Sequence, residues 1–182
     1  MILKVLNYWV YFIHKLKIRK LKKEVALWEG DHIYVLPGFK IGHQNGLILH
    51  DYVRIGEESF INARGGVEFM SGTVTGPYLT IFSENHIYEN ARTIPFDNDR
   101  CCKKVTIGEN CWIGARVFIV PGVCLGEGCI VAGGAVITKS FPPLSVIGGN
   151  PAQLIKTRDR LDYERQKKGG MAQDLLCFIK RR

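Results

Sequence analysis

From Ile107 the chain repeats a pattern six residues long: IGENCW, IGARVF, IVPGVC, LGEGCI, VAGGAV, ITKSFP. The first position is aliphatic every time, in Ile107, Ile113, Ile119, Leu125, Val131 and Ile137. The second is small in five of the six, at Gly108, Gly114, Gly126, Ala132 and Thr138, with Val120 the exception. The fifth is small or apolar throughout, at Cys111, Val117, Val123, Cys129, Ala135 and Phe141. An amphipathic helix needs apolar residues every 3.6 positions, and a half-buried strand needs alternation ended by a turn. A period of six held for 36 residues fits neither. It predicts a parallel β-helix of triangular section, in which three hexads make a coil and each hexad supplies a short strand and a corner. Ile107 then lies under Leu125 and Ile113 under Val131, while Cys111 and Cys129 stack as small core residues. Glycine in second position lets the backbone turn where a Cβ would crowd it.

The pattern begins earlier and less cleanly. Leu49, Ile55, Ile61 and Val67 are spaced by six, Val53 and Ser59 hold fifth positions, and Leu79 with Ser83 continues the phase. The separation of 28 between Leu79 and Ile107 breaks it, so residues 85–104 are expected to leave the coil as a loop. Loops ejected from a rigid scaffold are where function tends to sit. The ends read differently. Residues 1–30 suggest a basic amphipathic helix with Leu3, Leu6, Val10 and Ile13 on one face, and 157–182 a helix, a Gly-Gly break and a second short helix. The expected division is therefore 1–30, a coil over 31–156, and a tail over 157–182.

Charge sharpens this division. The 182 residues are 46% hydrophobic and carry a net charge of +8, enough apolar material to exclude wholesale disorder. Residues 1–23 hold seven basic and no acidic residues and 156–182 a net +5, which leaves the coil at −4. A basic chain suggests nucleic acid, an anionic membrane or a phosphate-bearing ligand. With the charge at the ends and no groove-reading motif, nucleic acid is not expected. The N-terminal segment either lies on an anionic membrane surface or caps the open end of the coil. Its apolar run is too short to span a bilayer and has no cleavage site. The six cysteines contain no C-x-x-C pair. Reduced thiols and a cytoplasmic location follow, at most peripheral to the inner membrane.

Over IGENCWIGARVFIVPGVCLGEGCIVAGGAVITKSFPPLSVIGGNPAQLIK the chain resembles the hexapeptide-repeat acyltransferases, most closely the galactoside, maltose and polysaccharide O-acetyltransferase branch. The WIG hexad, the VPGV turn, AGGAVITK and GGNPAQLIK carry the likeness, with FIN, TGP and SENH upstream, over roughly residues 40–156. It implies an all-β, left-handed parallel β-helix with an N-terminal helix, an ejected loop and a C-terminal helical tail. It also implies a homotrimer with acetyl-CoA as co-substrate and no metal.

The resemblance puts the catalytic base at His86, where histidine titrates in the range needed to take a hydroxyl proton. It puts the donor for the developing oxyanion at the backbone N–H of Ala115. Trp112, Ala115, Gly133, Thr138 and Lys139 would line the acyl-donor groove, and Lys156 would meet a phosphate of coenzyme A. Gln153 stands where an Arg is often found, leaving Arg158 as a second cation. Asn62, Ser83, Glu84, Asn85 and Trp112 are the acceptor candidates. No nucleophile motif accompanies them, so direct attack within a ternary complex is expected. His43 and His50 prompt comparison with gamma-class carbonic anhydrases, because His50 and His86 are 36 apart. The required third histidine would fall at Ala91, so zinc is not expected. The expected activity is O-acetylation of a sugar hydroxyl on a surface polysaccharide or its precursor. N-acetylation of an amino sugar, acetylation of an antibiotic, and a non-catalytic scaffold remain alternatives.

Overall fold

The computed structural model describes residues 2–169, with side chains from Tyr11 onward. Helix α1 (Ile2–Glu24) leads into a first coil of β1 (Leu27–Trp28), β2 (Tyr34–Val35) and β3 (Lys40–Gly42). The second coil holds β4 (Leu47–Leu49), β5 (Arg54–Ile55) and β6 (Phe60–Asn62), and the third β7 (Val67–Phe69), β8 (Val74–Thr75) and β9 (Thr80–Phe82). The chain leaves the coil through β10 (Glu84–His86) and returns by β11 (Arg100–Cys102). The fourth coil is β12 (Val105–Ile107), β13 (Trp112–Ile113) and β14 (Phe118–Ile119), and the fifth β15 (Cys124–Leu125), β16 (Ile130–Val131) and β17 (Val136–Ile137). Strands β18 (Ser145–Gly149) and β19 (Ala152–Thr157) close the solenoid, and α2 (Arg160–Lys168) follows.

Parallel pairing stacks the coils into three faces. The first is β1-β4-β7-β12-β15, the second β2-β5-β8-β13-β16-β18, and the third β3-β6-β9-β14-β17. The six first-position aliphatics from Ile107 to Ile137 are at most 2% exposed, and Ile107 pairs with Leu125 and Ile113 with Val131 as expected. Fully burying such a side chain is worth ~1.5–3 kcal/mol, and the stack repeats that gain on each coil. Cys111 and Cys129 point inward, their thiols donating to the carbonyls of Gly126 (3.2 Å) and Pro142 (3.3 Å). The hydrogen bond to Cys129 and burial push the Cys111 thiol up. At Gly114 a Cβ would stand 2.5 Å from the backbone nitrogen of Gly133, so neighbouring coils touch there through backbone alone.

The upstream phase needs correcting. Leu49, Ile55 and Ile61 hold first positions, but Phe69, not Val67, stacks on Leu49, and Ile81, not Leu79, stacks on Ile61. These coils are wider because the corner between the third and first faces takes two extra residues. Phe141 pairs with Leu125 instead of lying over Val123, which narrows the last coil at the same corner.

The ends also differ in detail from the expected division. Coil pairing already begins at Leu27, opposite Ile48, and runs to Thr157. Helix α1 packs on the first coil through His14, Ile18 and Leu21, followed by Val25 just past its end, with His14 edge-on to Phe39 at 6.1 Å. Ile13 faces solvent, and the side chains of Leu3, Leu6 and Val10 lie outside those described. At the other end the Tyr163 hydroxyl donates to Glu127 (2.8 Å) and accepts from Asn110 (3.1 Å), anchoring α2. The second C-terminal helix and Cys177 lie outside the described residues. No helix among the described residues is long and apolar enough to cross a membrane.

Candidate active site

The ejected loop starts from the corner after β9. Its base is an antiparallel ribbon that pairs Glu84 with Cys102, Asn85 with Cys101 and His86 with Arg100. Beside it runs a groove of about 510 Å³ lined by Asn85, His86, Tyr88, Cys101, Lys103 and Val120 among others. The His86 ring stacks on Phe96 with centroids 3.8 Å apart, and its Nδ1 lies 3.2 Å from the Asp97 carbonyl oxygen. A carbonyl only accepts, so Nδ1 is the donor of this hydrogen bond, which in the neutral ring leaves Nε2 as the basic nitrogen. The Asp97 carboxylate in turn accepts from the backbone N–H groups of Arg92 (2.8 Å) and Thr93 (3.1 Å), which fixes the loop around its own histidine. Phe96 and Asp97 were invisible as site residues in the sequence. The only available signal was an Asp a few residues after a Pro, a composition common to any turn.

The acceptor candidates divide. Asn85 is exposed at the groove. Ser83 is fully buried, its hydroxyl donating to the Asn62 carbonyl and accepting from Gly65 N–H, both at 2.8 Å. The Glu84 side chain is 5% exposed. It accepts from Asn62 Nδ2 (2.7 Å), and its second oxygen lies 3.0 Å from Arg64 Nε and 3.6 Å from Arg100 Nη1. Those two contacts are ionic, without an aligned hydrogen bond. Ser83 and Glu84 therefore brace the root of the loop and do not open onto the groove, against the expectation that they would meet the acceptor. Burial wins because an ionised carboxylate inside the corner needs partners, and the two arginines supply them.

The donor-side candidates fall at two separate edges of the third face. Thr138 and Lys139 lie one coil beyond Val120, at the loop's own corner, with Lys139 Nζ donating to Gln153 (3.1 Å). Ala115 and Gly133 lie at the opposite edge, where the second face turns into the third, stacked through Gly134 N–H to the Ala115 carbonyl (2.8 Å). The N–H groups of Ala115 and Gly133 have no acceptor among the described residues, so both are available to a ligand. Trp112 is 60% exposed on the second face, as its hexad position required, and Lys156 is exposed on β19. Arg158 is committed elsewhere: it donates to the Gly128 carbonyl (2.9 Å) and covers the Tyr163 ring, so it does not stand in for the arginine missing at Gln153. His50 is held between Glu29 and Glu68, away from His86, and no metal-holding group of His, Cys, Asp and Glu occurs among the described residues.

Comparison with known proteins bears on the family and the fold. The family described as "Bacterial transferase hexapeptide (six repeats)" matches residues 104–139. A putative colanic acid biosynthesis acetyltransferase of Escherichia coli is 30% identical over 131 residues, 71% of this chain and 68% of that protein. A probable macrolide acetyltransferase of Lysinibacillus sphaericus is 34% identical over 62% of this chain and 60% of its own length. A hexapeptide-repeat acetyltransferase of Vibrio cholerae, solved with acetyl coenzyme A, shares the fold at TM-score 0.63 and 19% identity, over 80% of this chain and 79% of that one. With a relative matched along most of both chains and the repeat itself recognised, this chain belongs to the hexapeptide-repeat acetyltransferases.

Proposed function

We propose that the protein transfers an acetyl group from acetyl-CoA to a sugar hydroxyl of a surface polysaccharide or its precursor, with His86 as general base. The observation that carries this reading is His86 itself, fixed by Phe96 and the Asp97 carbonyl with Nε2 free at the edge of a groove. His86 Nε2 takes the acceptor's hydroxyl proton as the oxygen attacks the thioester carbonyl, and returns it to the departing sulfur. The unengaged N–H of Ala115 donates to the oxygen on which negative charge develops. The amide of Gly133 and the side chains of Thr138, Lys139, Lys156 and Trp112 suit an extended pantetheine and its phosphates, and Asn85 flanks the acceptor, while the Asn62 amide is held by Glu84 at the root of the loop.

His86 and Ala115 stand at opposite edges of the third face, so one chain alone does not bring base and oxyanion donor together. A homotrimer in which the third face of one copy meets the far edge of the next would do so. The aromatic column Phe60, Phe82 and Phe118 on that face, with centroids 5.4 and 5.7 Å apart, gives it an apolar strip for such packing.

Free-thiol release from acetyl-CoA, measured over a panel of sugars, amino sugars and antibiotics, tests the reading. His86→Ala should lower turnover by ~10²–10⁴-fold, the usual weight of a general base. An unchanged rate with the stimulating acceptor would remove His86 from the chemistry. Stimulation by a macrolide instead of a saccharide would favour the second reading, an antibiotic acetyltransferase, which the Lysinibacillus relative makes worth including.

A further inference from the structure

Two uses were open for the basic N-terminal helix: covering the end of the coil, or meeting a membrane. The structure divides these between opposite faces of α1. His14, Ile18 and Leu21, at i, i+4 and i+7, turn toward the first coil and pack on it. Burial, with Lys17 nearby, holds the His14 imidazole below its ordinary value, so this face presents a neutral ring to the core. The positions opposite, led by Leu16, Lys20 and Lys23, are exposed. Leu16 is 46% exposed, and Ile13 beside it 49%. Around these apolar groups stand Lys17, Arg19, Lys20 and Lys23, with no acidic residue before Glu24, while Lys22 turns back over the Trp28 ring. A helix that only covered a coil end would have no need of this second apolar surface, least of all one ringed by cations.

We infer that the outward face of α1 docks the protein on an anionic lipid bilayer. Leu16 and Ile13 enter the interface between headgroups and acyl chains, and the lysines and Arg19 lie among the lipid phosphates. The arrangement has the elements of an interfacial helix: an apolar strip, a surround of one sign of charge, and too little hydrophobic length to span. The charge complementarity selects the partner, because anionic headgroups attract clustered cations and zwitterionic ones do not. Because α1 lies across the first coil, the β-helix would stand up from the bilayer with the ejected loop carried above it. The inference stands on α1 alone and does not depend on the acetyltransferase acceptor.

The test is flotation of the full chain with vesicles. Binding is expected to vesicles of phosphatidylcholine with about 30% phosphatidylglycerol and not to phosphatidylcholine alone, since the attraction is electrostatic. Lys20→Gln with Lys23→Gln should lower partitioning about 25-fold, as each cation near an anionic surface contributes roughly fivefold. Ile13→Ser with Leu16→Ser, both at exposed positions, should reduce binding while leaving the thermal midpoint and thiol release unchanged. Equal flotation with neutral vesicles, or full flotation of the Ile13→Ser/Leu16→Ser protein, would overturn the proposal. So would a change of oligomeric state in that variant with binding retained, which would make the face a contact between copies.

Discussion

His50 ties three successive coils together at one point. Its ring lies between Glu29, just after β1, and Glu68 in β7, with 2.9 Å to the latter, and Glu68 also holds Lys104 at 2.7 Å. Burial pulls the imidazole down, and the hydrogen bonds and charges of Glu68 and Glu29 outweigh it, so its pKa is raised above 6.5. The hydrogen bonds from Lys104 and His50 hold the Glu68 carboxyl below its ordinary 4.5. The folded imidazole keeps its proton more tightly than the unfolded chain does. Its contribution is therefore complete below pH 6.5 and is lost as pH rises through the raised value. The Glu68 contribution is present above pH 4.5 and is lost as pH falls through the lowered value. Urea unfolding midpoints should accordingly peak at about pH 5–6 and decline toward pH 8. His50→Gln should flatten the alkaline limb, and an unaltered limb would show that the ladder contributes nothing.

The irregularity of this solenoid is confined to one corner. Steps across the other two corners from β2 to β17 are six residues, as in Ile55 to Ile61 and Ile107 to Ile113. Between the third and first faces the steps vary. Ile41 to Leu49 and Ile61 to Phe69 take eight residues, Ile81 to Ile107 twenty-six, Ile119 to Leu125 six, and Ile137 to Phe141 four. A change of length there leaves the inward register of the strands intact, whereas one elsewhere slips a face relative to its neighbours. Inserting Gly-Ser after Asn45, at the variable corner, should therefore shift the melting temperature by only a few degrees. The same insertion after Glu58, at a six-residue corner, should abolish cooperative unfolding in a thermal scan. Equal tolerance at both sites would refute the distinction.

This corner also explains what could be read ahead of the structure. From Ile107 to Ile137 the corner adds nothing or little, so the period of six is unbroken and coil, core and stacking partners were all legible. Upstream, each passage of the corner adds two residues, and counting in sixes drifts from Phe69 to Val67 and from Ile81 to Leu79. The loop was legible as a gap in the pattern, and the position of His86 at its root through the SENH segment. The burial of Glu84 was not, because it depends on Arg64 and Arg100 arriving from elsewhere in the chain. The two faces of α1 were equally hidden, since the sequence holds apolar residues on both and only packing says which one the coil takes.

At the scale of the whole molecule, the proposed sharing of the reaction centre between copies predicts complementation. His86→Ala damages one edge of the third face, and Gly133→Trp, which crowds the donor groove, damages the other. Neither should be active by itself. Unfolded together and refolded as a mixture, the two would place an intact His86 beside an intact Gly133 at about one interface in four. Recovery of about a quarter of wild-type thiol release would support a site between copies, and no recovery would confine it to one chain.

Both open ends of the solenoid are covered. Helix α1 lies over the first coil, and β19 runs antiparallel against β18 at the last. An uncovered β-helix end would offer unpaired backbone to the end of another molecule and invite unlimited head-to-tail growth. With both ends closed among the described residues, self-association is left to the flanks, where a rotation about a common axis gives a closed ring when it divides the full turn. The same two caps that finish the fold thus block the end-to-end route to filaments.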